Sequence, residues 1–250
     1  MNKNTQVNAA IIIIGNEILS GRTQDTNTIT IALWLNSLGV KVQEVRVIPD
    51  IEDIIVHTIS KVKKINNYVF TTGGIGPTHD DITAKSISKA FNIKYEVNKE
   101  AYKILENYYK PGEFNEGRQK MAWTPSKAKL ILNPTSGAPG FIIDNVYCLP
   151  GVPSILKSML GGLKNVISGG KPIISHTINL RTVESEIAKS LTTVQENNKD
   201  VEIGSYPFFK AGKVGVSIVL RSDDKSKIEV CNSKILEFVN QKKIEIIKSS

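Results

Sequence analysis

The sequence predicts an α/β protein, a three-layer, mostly parallel sheet between helices, followed by a small α+β domain. Three observations predict it. Ala9-Ala-Ile-Ile-Ile-Ile14 is a continuous, β-branched apolar run, the mark of a parallel strand buried on both faces. From there to about residue 166, strand-like and helical patterns alternate at the lengths of doubly wound βαβ units. Ser168-Gly-Gly-Lys-Pro172 then breaks the composition, and a strand–helix–strand–strand–helix order follows, which suggests a ferredoxin-like unit. The expected organisation is a flexible tail over residues 1–7, a main domain over 8–168 and a small domain over 171–250.

The first strand ends at Gly15-Asn16-Glu17, a strand-end loop of the kind where open α/β sheets bind ligands. A helix begins near Thr26 or Asn27: Ile31, Ala32, Leu35 and Leu38 fall on one side, and Gly39 ends it. Residues 40–48 read as a second strand, closed by Pro49. Asp50 is placed to cap a helix in which Ile51, Ile54, Ile55, Ile59 and Val62 keep a helical period. The third strand covers 68–72, and a helix carrying Ile82, Ala84, Ile87, Ala90 and Phe91 comes after it. Asn98 caps the next helix, Lys110-Pro-Gly-Glu113 turns, and residues 114–123 form a short helix holding Arg118 and Lys120. Residues 130–132 are strand-like, 141–149 a hairpin across Asp144-Asn145, and a helix then runs to about residue 166. In the small domain, strands over 173–180, 201–208 and 213–221 alternate with helices over 183–195 and 225–241.

The chain is organised around Tyr68-Val-Phe-Thr-Thr-Gly-Gly-Ile-Gly-Pro-Thr-His-Asp-Asp-Ile-Thr-Ala-Lys85. A strand stops at two glycines, and a helix starts shortly afterwards, where unpaired backbone N–H groups favour an anion. Gly73, Gly74 and Gly76 lack a Cβ and let a phosphate approach the backbone. Asp80 and Asp81 add negative charge beside that anion site, which makes sense if a divalent cation sits between carboxylate and phosphate. The same residues also read as a plain strand-to-helix turn with Asp81 as its N-cap.

Gly73-Gly-Ile-Gly-Pro-Thr-His-Asp-Asp-Ile-Thr83 resembles the signature of the MoaB/MogA molybdopterin-binding fold, and its double Asp resembles the version in the CinA family (competence/damage-inducible protein A, N-terminal part). Gly15-Asn-Glu-Ile-Leu-Ser-Gly21 with Asp25-Thr-Asn27, Asn133-Pro-Thr-Ser-Gly-Ala-Pro-Gly-Phe141 and Leu149-Pro-Gly-Val-Pro-Ser154 resemble that family in the same order. The resemblance covers roughly residues 8–165 and implies a sheet of the MoaB/MogA type. It assigns Gly73, Gly74, Gly76, Pro77 and Thr83 to phosphate, pterin or nucleotide binding, makes Asp81 the essential acid, and places a carboxylate like Asp50 near the site. Asp80 stands where MogA-like relatives often carry a base. That difference points away from molybdopterin adenylyl transfer and toward metal-assisted pyrophosphate chemistry.

If the first and third strands are neighbours, Glu17, Asp25, Asp80 and Asp81 converge as metal ligands, since such a cluster repels itself unless a cation neutralises it. Magnesium or manganese is the expected ion. Ser136 and Gly137 are placed either to offer a hydroxyl and amides to a second phosphate or to form an irregular loop. Gly151, before a helix start, is another candidate anion site. Arg118 and Lys120 resemble a basic stretch of the family in imperfect register. His57, His79 and His176 show no metal-ligand spacing.

Of the 250 residues, 40% are hydrophobic and 22% charged, ordinary for a soluble globular chain. The formal net charge of +8 comes from 32 basic residues, 27 of them scattered Lys and 5 Arg. That pattern suits a solvated surface that draws in anionic nucleotides better than it suits a nucleic-acid reader built on Arg forks. Cys148 and Cys231 are too far apart for a Cys-based zinc site and read as buried free thiols. The apolar run at residues 9–14 is too short to span a bilayer, so a cytoplasmic protein is expected.

These readings converge on a divalent-metal-dependent nucleotide pyrophosphatase with Asp81 and Asp80 as catalytic acids. ADP-ribose is the substrate the resemblance implies. A non-catalytic module that binds molybdopterin or a nucleotide, in molybdenum cofactor metabolism, is the alternative; a competence-related nucleic-acid factor is the third. A homo-oligomer is expected because related proteins assemble as dimers or trimers. The nicotinamide mononucleotide deamidase domain that CinA-like proteins often carry is not expected after residue 171.

Overall fold

Strand β1 (Asn8–Ile14) is the axis of the first unit, and its residues 9–14 are at most 4% exposed. Its side chains alternate between two apolar clusters, because successive strand residues point to opposite faces. Ala9, Ile11 and Ile13 pack with Ile31, Leu35, Leu156 and Met159, while Ala10, Ile12 and Ile14 pack with Ile55, Ile59, Ala84 and Ile87. This double burial is why the strand reads as an unbroken apolar run. The computed structural model describes residues 6–210 and 212–247. It divides into two units, Met1–Gly170 and Lys171–Ser250.

Along the first unit, β1 leads into the short helix α1 (Asn16–Leu19) and then α2 (Asn27–Ser37), β2 (Lys41–Ile48), α3 (Glu52–Val62), β3 (Tyr68–Thr72) and α4 (Thr83–Ala90). Next come β4 (Tyr95–Val97), α5 (Lys99–Tyr108), α6 (Glu116–Lys120), β5 (Trp123–Pro125) and β6 (Lys129–Ile131). The hairpin β7 (Gly140–Ile143) and β8 (Val146–Leu149) precedes α7 (Pro153–Leu160). The sheet order is β2-β1-β3-β8-β7-β6. β2, β1, β3 and β8 are parallel, and β7 runs against both its neighbours.

Several expectations shift in detail. Val7 is not part of a loose tail: its carbonyl accepts from the Lys41 amide at 2.9 Å and it packs on the first cluster. Residues 1–5 of that expected tail lie outside the described residues. The helix foreseen over 114–123 is shorter, capped by Asn115, and Trp123 instead opens β5, which pairs antiparallel with β4. Two three-residue strands carry too little periodicity to read from sequence. The strand near 130–132 sits one residue earlier. The helix expected to reach residue 166 ends at Leu160 and tightens into a 3₁₀ turn at Gly161–Leu163, where two glycines weaken the α-helix.

The second unit holds β9 (Ile174–Arg181), α8 (Glu184–Asn197), β10 (Glu202–Lys210), β11 (Lys213–Ser222), α9 (Lys225–Gln241) and β12 (Glu245–Ile247). Its antiparallel order β10-β11-β9-β12 is that of a ferredoxin-like fold, completed by the short β12, which the sequence pattern did not reveal. Both cysteines are buried and free; burial pushes the Cys148 thiol up to about 12, which leaves it an inert core residue. Among the described residues no helix is long and apolar enough to cross a membrane.

Candidate functional site

β2 and β3 flank β1 on opposite sides and all three run parallel, so the loops after their C-terminal ends open on one edge of the sheet. In an open α/β sheet this switch point is where a crevice forms. Three sequence motifs meet there: Gly15-Asn16-Glu17 after β1, Pro49-Asp50 after β2, and the glycine loop after β3.

The loop's shape depends on glycine at two positions. Gly73 has φ 103°, and a Cβ on it would collide with the Ile14 carbonyl oxygen. Its amide donates to the Leu149 carbonyl at 3.1 Å, so the loop starts wedged between β1 and β8. Gly74 has φ 68°, and a Cβ there would run into the Thr83 hydroxyl and stand 3.6 Å from Asp50 Oδ1. Thr83 is buried and clamps the loop from behind: its hydroxyl donates to the Gly73 carbonyl at 3.0 Å and its amide to the Gly74 carbonyl at 2.9 Å. The expectation that Thr83 touches a ligand is therefore corrected to one of loop positioning.

Asp81 does not cap α4. The N-cap is Ile82, with no side-chain cap bond, while Asp81 Oδ2 accepts from the Thr78 amide at 2.7 Å and lies 2.5 Å from Thr78 Oγ1. Thr78 Oγ1 is also 2.6 Å from Asp80 Oδ1. A hydroxyl has a single proton to donate, so one of these two close carboxylate oxygens faces an oxygen with no hydrogen between them. The Thr78 hydroxyl, and then Asp80's own backbone amide, hold the Asp80 carboxyl below the usual range. On the far side of the loop, a Cβ on Gly76 would stand 2.7 Å from Asp81 Oδ2. Pro77 and His79 are exposed in the same turn.

Asp50 does not cap α3 either. Ile51 is the N-cap residue, and Asp50 Oδ2 instead accepts from the Asn16 amide at 2.8 Å. Burial pushes the Asp50 carboxyl up; the Asn16 hydrogen bond pulls it down, and the charges of Glu17, Asp80 and Asp81 push it up again. The acids gathered around Asp50 are thus Glu17, Asp80 and Asp81. Asp25 is absent from them, because its Oδ1 accepts from the amides of Asn27 at 2.9 Å and Thr28 at 3.3 Å and so holds the first turn of α2. Among the described residues no three His, Cys, Asp or Glu side chains stand together closely enough to hold a metal. The expected cluster of Glu17, Asp25, Asp80 and Asp81 is not preassembled; like charges spread apart and Asp25 is committed elsewhere.

Of the two candidate bases, Lys120 reaches the loop. It lines a small cavity of about 10 Å³ with Gly74, Gly76 and Asp81, and its Nζ donates to the Thr78 carbonyl. Tyr95, Trp123 and Phe141 complete the wall, brought there by the β4–β5 ribbon and β7. Arg118 lies over the Tyr109 ring at 4.2 Å and donates to the Glu113 carbonyl, so it braces the corner between α5 and α6. A second cavity of about 60 Å³ lies beyond Gly73, lined by Glu17, Asp25, Asn27, Thr72 and Gly151 among others. Ser136 and Gly137 line neither cavity: Ser136 is bonded to Asn133, and a Cβ on Gly137 would stand 2.6 Å from the Tyr108 ring. Asn16, Asn27 and Thr78 are site residues that reasoning on charge and glycine pattern passed over, although each lies within or beside a quoted motif.

A parallel sheet with a glycine loop and carboxylates at its switch point defines the class as a ligand-binding α/β domain. Residues 10–176 match the family described as probable molybdopterin binding domain, and the chain belongs to that family. Residues 172–247 match a second family, described as FAD synthase, middle domain. A protein of Archaeoglobus fulgidus is 36% identical over 233 residues, 93% of this chain and 98% of its own length. One of Pyrobaculum calidifontis is 34% identical over 210 residues, 80% of each chain. The crystal structure of the protein CinA with unknown function from Thermoplasma acidophilum is 32% identical, with a TM-score of 0.60 over 64% of this chain and 98% of that one. The chain is CinA-like, as its four motifs led one to expect.

Proposed function

We propose that the chain is a divalent-metal-dependent nucleotide pyrophosphatase acting on an ADP-ribose-like substrate. The observation that carries this reading is the glycine loop flanked by carboxylates on both sides, Asp50 next to Gly74 and Asp81 next to Gly76. An anion held by the loop amides meets negative charge on either flank, which is unfavourable unless a cation joins them. The donor set is all oxygen, as magnesium and manganese prefer, and magnesium commonly binds through one or two carboxylates together with substrate phosphates. A divalent ion held between one or two of these carboxylates, Asp80 or Asp81, and the substrate phosphates would lower the pKa of an attacking water. The loop amides stabilise the charge that develops on the phosphate. Asp81, fixed by Thr78, orients the water, and Lys120 balances the negative charge of the bound substrate.

The alternative is a binding module for molybdopterin or a related phosphate, without turnover, and the family match favours keeping it in view. One experiment separates the two. Pure protein is incubated with ADP-ribose, flavin adenine dinucleotide and other nucleotide diphosphates, with magnesium or manganese, and phosphate-containing products are measured. Turnover abolished by a chelator supports the hydrolase; tight pterin binding with no product supports the module.

A further inference from the structure

We propose that Trp123 is a stacking residue for the planar heterocycle of a ligand whose phosphate lies on the glycine loop. The inference rests on the reading above in placing a phosphate at that loop, and adds the direction the rest of the ligand takes. Trp123 lines the same cavity as Gly74, Gly76, Asp81 and Lys120, yet is 39% exposed. That cavity, of about 10 Å³, has room for about one water and none for a ring. A ring joined to a phosphate at the loop therefore stays outside it. Of the apolar wall residues, Phe141 is buried and Tyr95 and Met121 are half-buried. Trp123 is the one that carries a large apolar surface out toward such a ring.

The ribbon of β4 and β5 positions the indole. Val97 pairs with Trp123 and Tyr95 with Pro125, so Tyr95 and Trp123 share a face of the ribbon at diagonal positions. Their ring centroids are 5.3 Å apart, with the planes tilted by 43°. Tyr95 packs on the second apolar cluster and anchors the ribbon, whereas Trp123 joins none of the apolar clusters among the described residues. Trp123 is thus backed by one ring while much of its surface stays open beside a polar loop. Nucleobases and pterins all present a π-face, and stacking one on an aromatic side chain contributes about 1–3 kcal/mol. Next to it, Lys120 faces the loop with the charge that a phosphate needs.

The test reads equilibrium binding, with magnesium present throughout, and so stands apart from turnover. The protein is titrated calorimetrically with AMP, with 6-hydroxymethylpterin phosphate, and with ribose 5-phosphate, which carries the phosphate without a ring. At least one ring-bearing phosphate is expected to bind about tenfold to a hundredfold more tightly than ribose 5-phosphate, and the tighter of the two identifies the ring. Trp123→Ala should bring that ligand down to the affinity of ribose 5-phosphate, whose own binding stays unchanged. The same ligand should quench the tryptophan emission of the wild type. In Trp123→Phe the emission left, from Trp34, should no longer respond. Equal binding of all three phosphates, an equal loss for all three in Trp123→Ala, or quenching that persists in Trp123→Phe overturns the proposal and leaves the phosphate site standing. No binding of any of the three overturns both.

Discussion

The backbone amide of Asn16 donates to the Asp50 carboxylate at 2.8 Å, tying the loop after β1 to the end of β2. The bond holds a partly buried acid beside Glu17, Asp80 and Asp81 instead of releasing it to cap the helix that follows. Burial and these three charges raise its pKa. A raised carboxylate pKa means the folded state holds its proton more tightly than the unfolded chain. Stability therefore falls as pH rises from the unfolded value of about 3.8 through the higher folded value, and above that the cost is fully present. Asp50→Asn keeps an acceptor for Asn16 and removes the charge. Its melting temperature should exceed wild type at pH 7 by about 1–2 °C, since the group is only partly buried and solvent screens much of the repulsion. The difference should vanish near pH 3.5. A variant less stable than wild type at pH 7 would show that the carboxylate is paired favourably after all.

Asp81→Asn tests the catalytic assignment. Since Asp81 does not cap α4, the change should leave helix and melting temperature nearly intact while turnover of ADP-ribose falls by about 10²–10⁴. Asp80→Asn should be milder if that acid acts through water. Near wild-type turnover in Asp81→Asn would remove the acid from the mechanism.

Gly73→Ala should cost about 3 kcal/mol or more in urea unfolding, because its Cβ meets the Ile14 carbonyl at a positive φ. Gly21, with φ 71° and open space around it, supplies the control: Gly21→Ala should cost only about 1 kcal/mol. Equal costs would mean that the loop relaxes away from β1.

Lys120→Ala should weaken ADP-ribose binding about tenfold by calorimetry and leave stability unchanged. Arg118→Ala should do the reverse, loosening the α5–α6 corner through the lost Tyr109 contact while affinity holds. Affinity lost in both would put Arg118 back in the site.

Metal and nucleotide should stabilise the protein together. A ligand at a hundredfold excess over its dissociation constant adds about 2.7 kcal/mol. Manganese with ADP-ribose should then raise the melting temperature by about 5–10 °C, well above the sum of the separate shifts. Purely additive shifts would count against an ion bridging carboxylate and phosphate, and a chelator should reverse the joint effect.

The glycine loop, the double acid and the βα alternation were all legible in the sequence, because local chemistry dictates them. Glycines mark positive φ, six apolar residues in a row, four of them β-branched, mark a strand buried on both faces, and Asn98 sits where a helix needs a cap. The ribbon of β4 and β5 and the closing strand β12 were not, since three residues hold too little pattern to stand out and gain their pairing from partners far away in sequence.

What the sequence by itself determined was the set of groups: which acids, glycines and bases the loops carry, and that they follow strands of one sheet. Which of them work together was decided only by tertiary structure. Asp50 and Asp81 each look like an N-cap in one dimension, yet it is Asp25, expected as a metal ligand, that holds a helix start, because the hydrogen bonds from Asn16 and Thr78 claim the other two. Lys120 and Arg118 are equivalent in the sequence, yet an aromatic ring and a carbonyl draw Arg118 aside and leave Lys120 at the loop. A side chain has several partners within reach along the chain, and the packed fold sets which one lies at hydrogen-bonding distance.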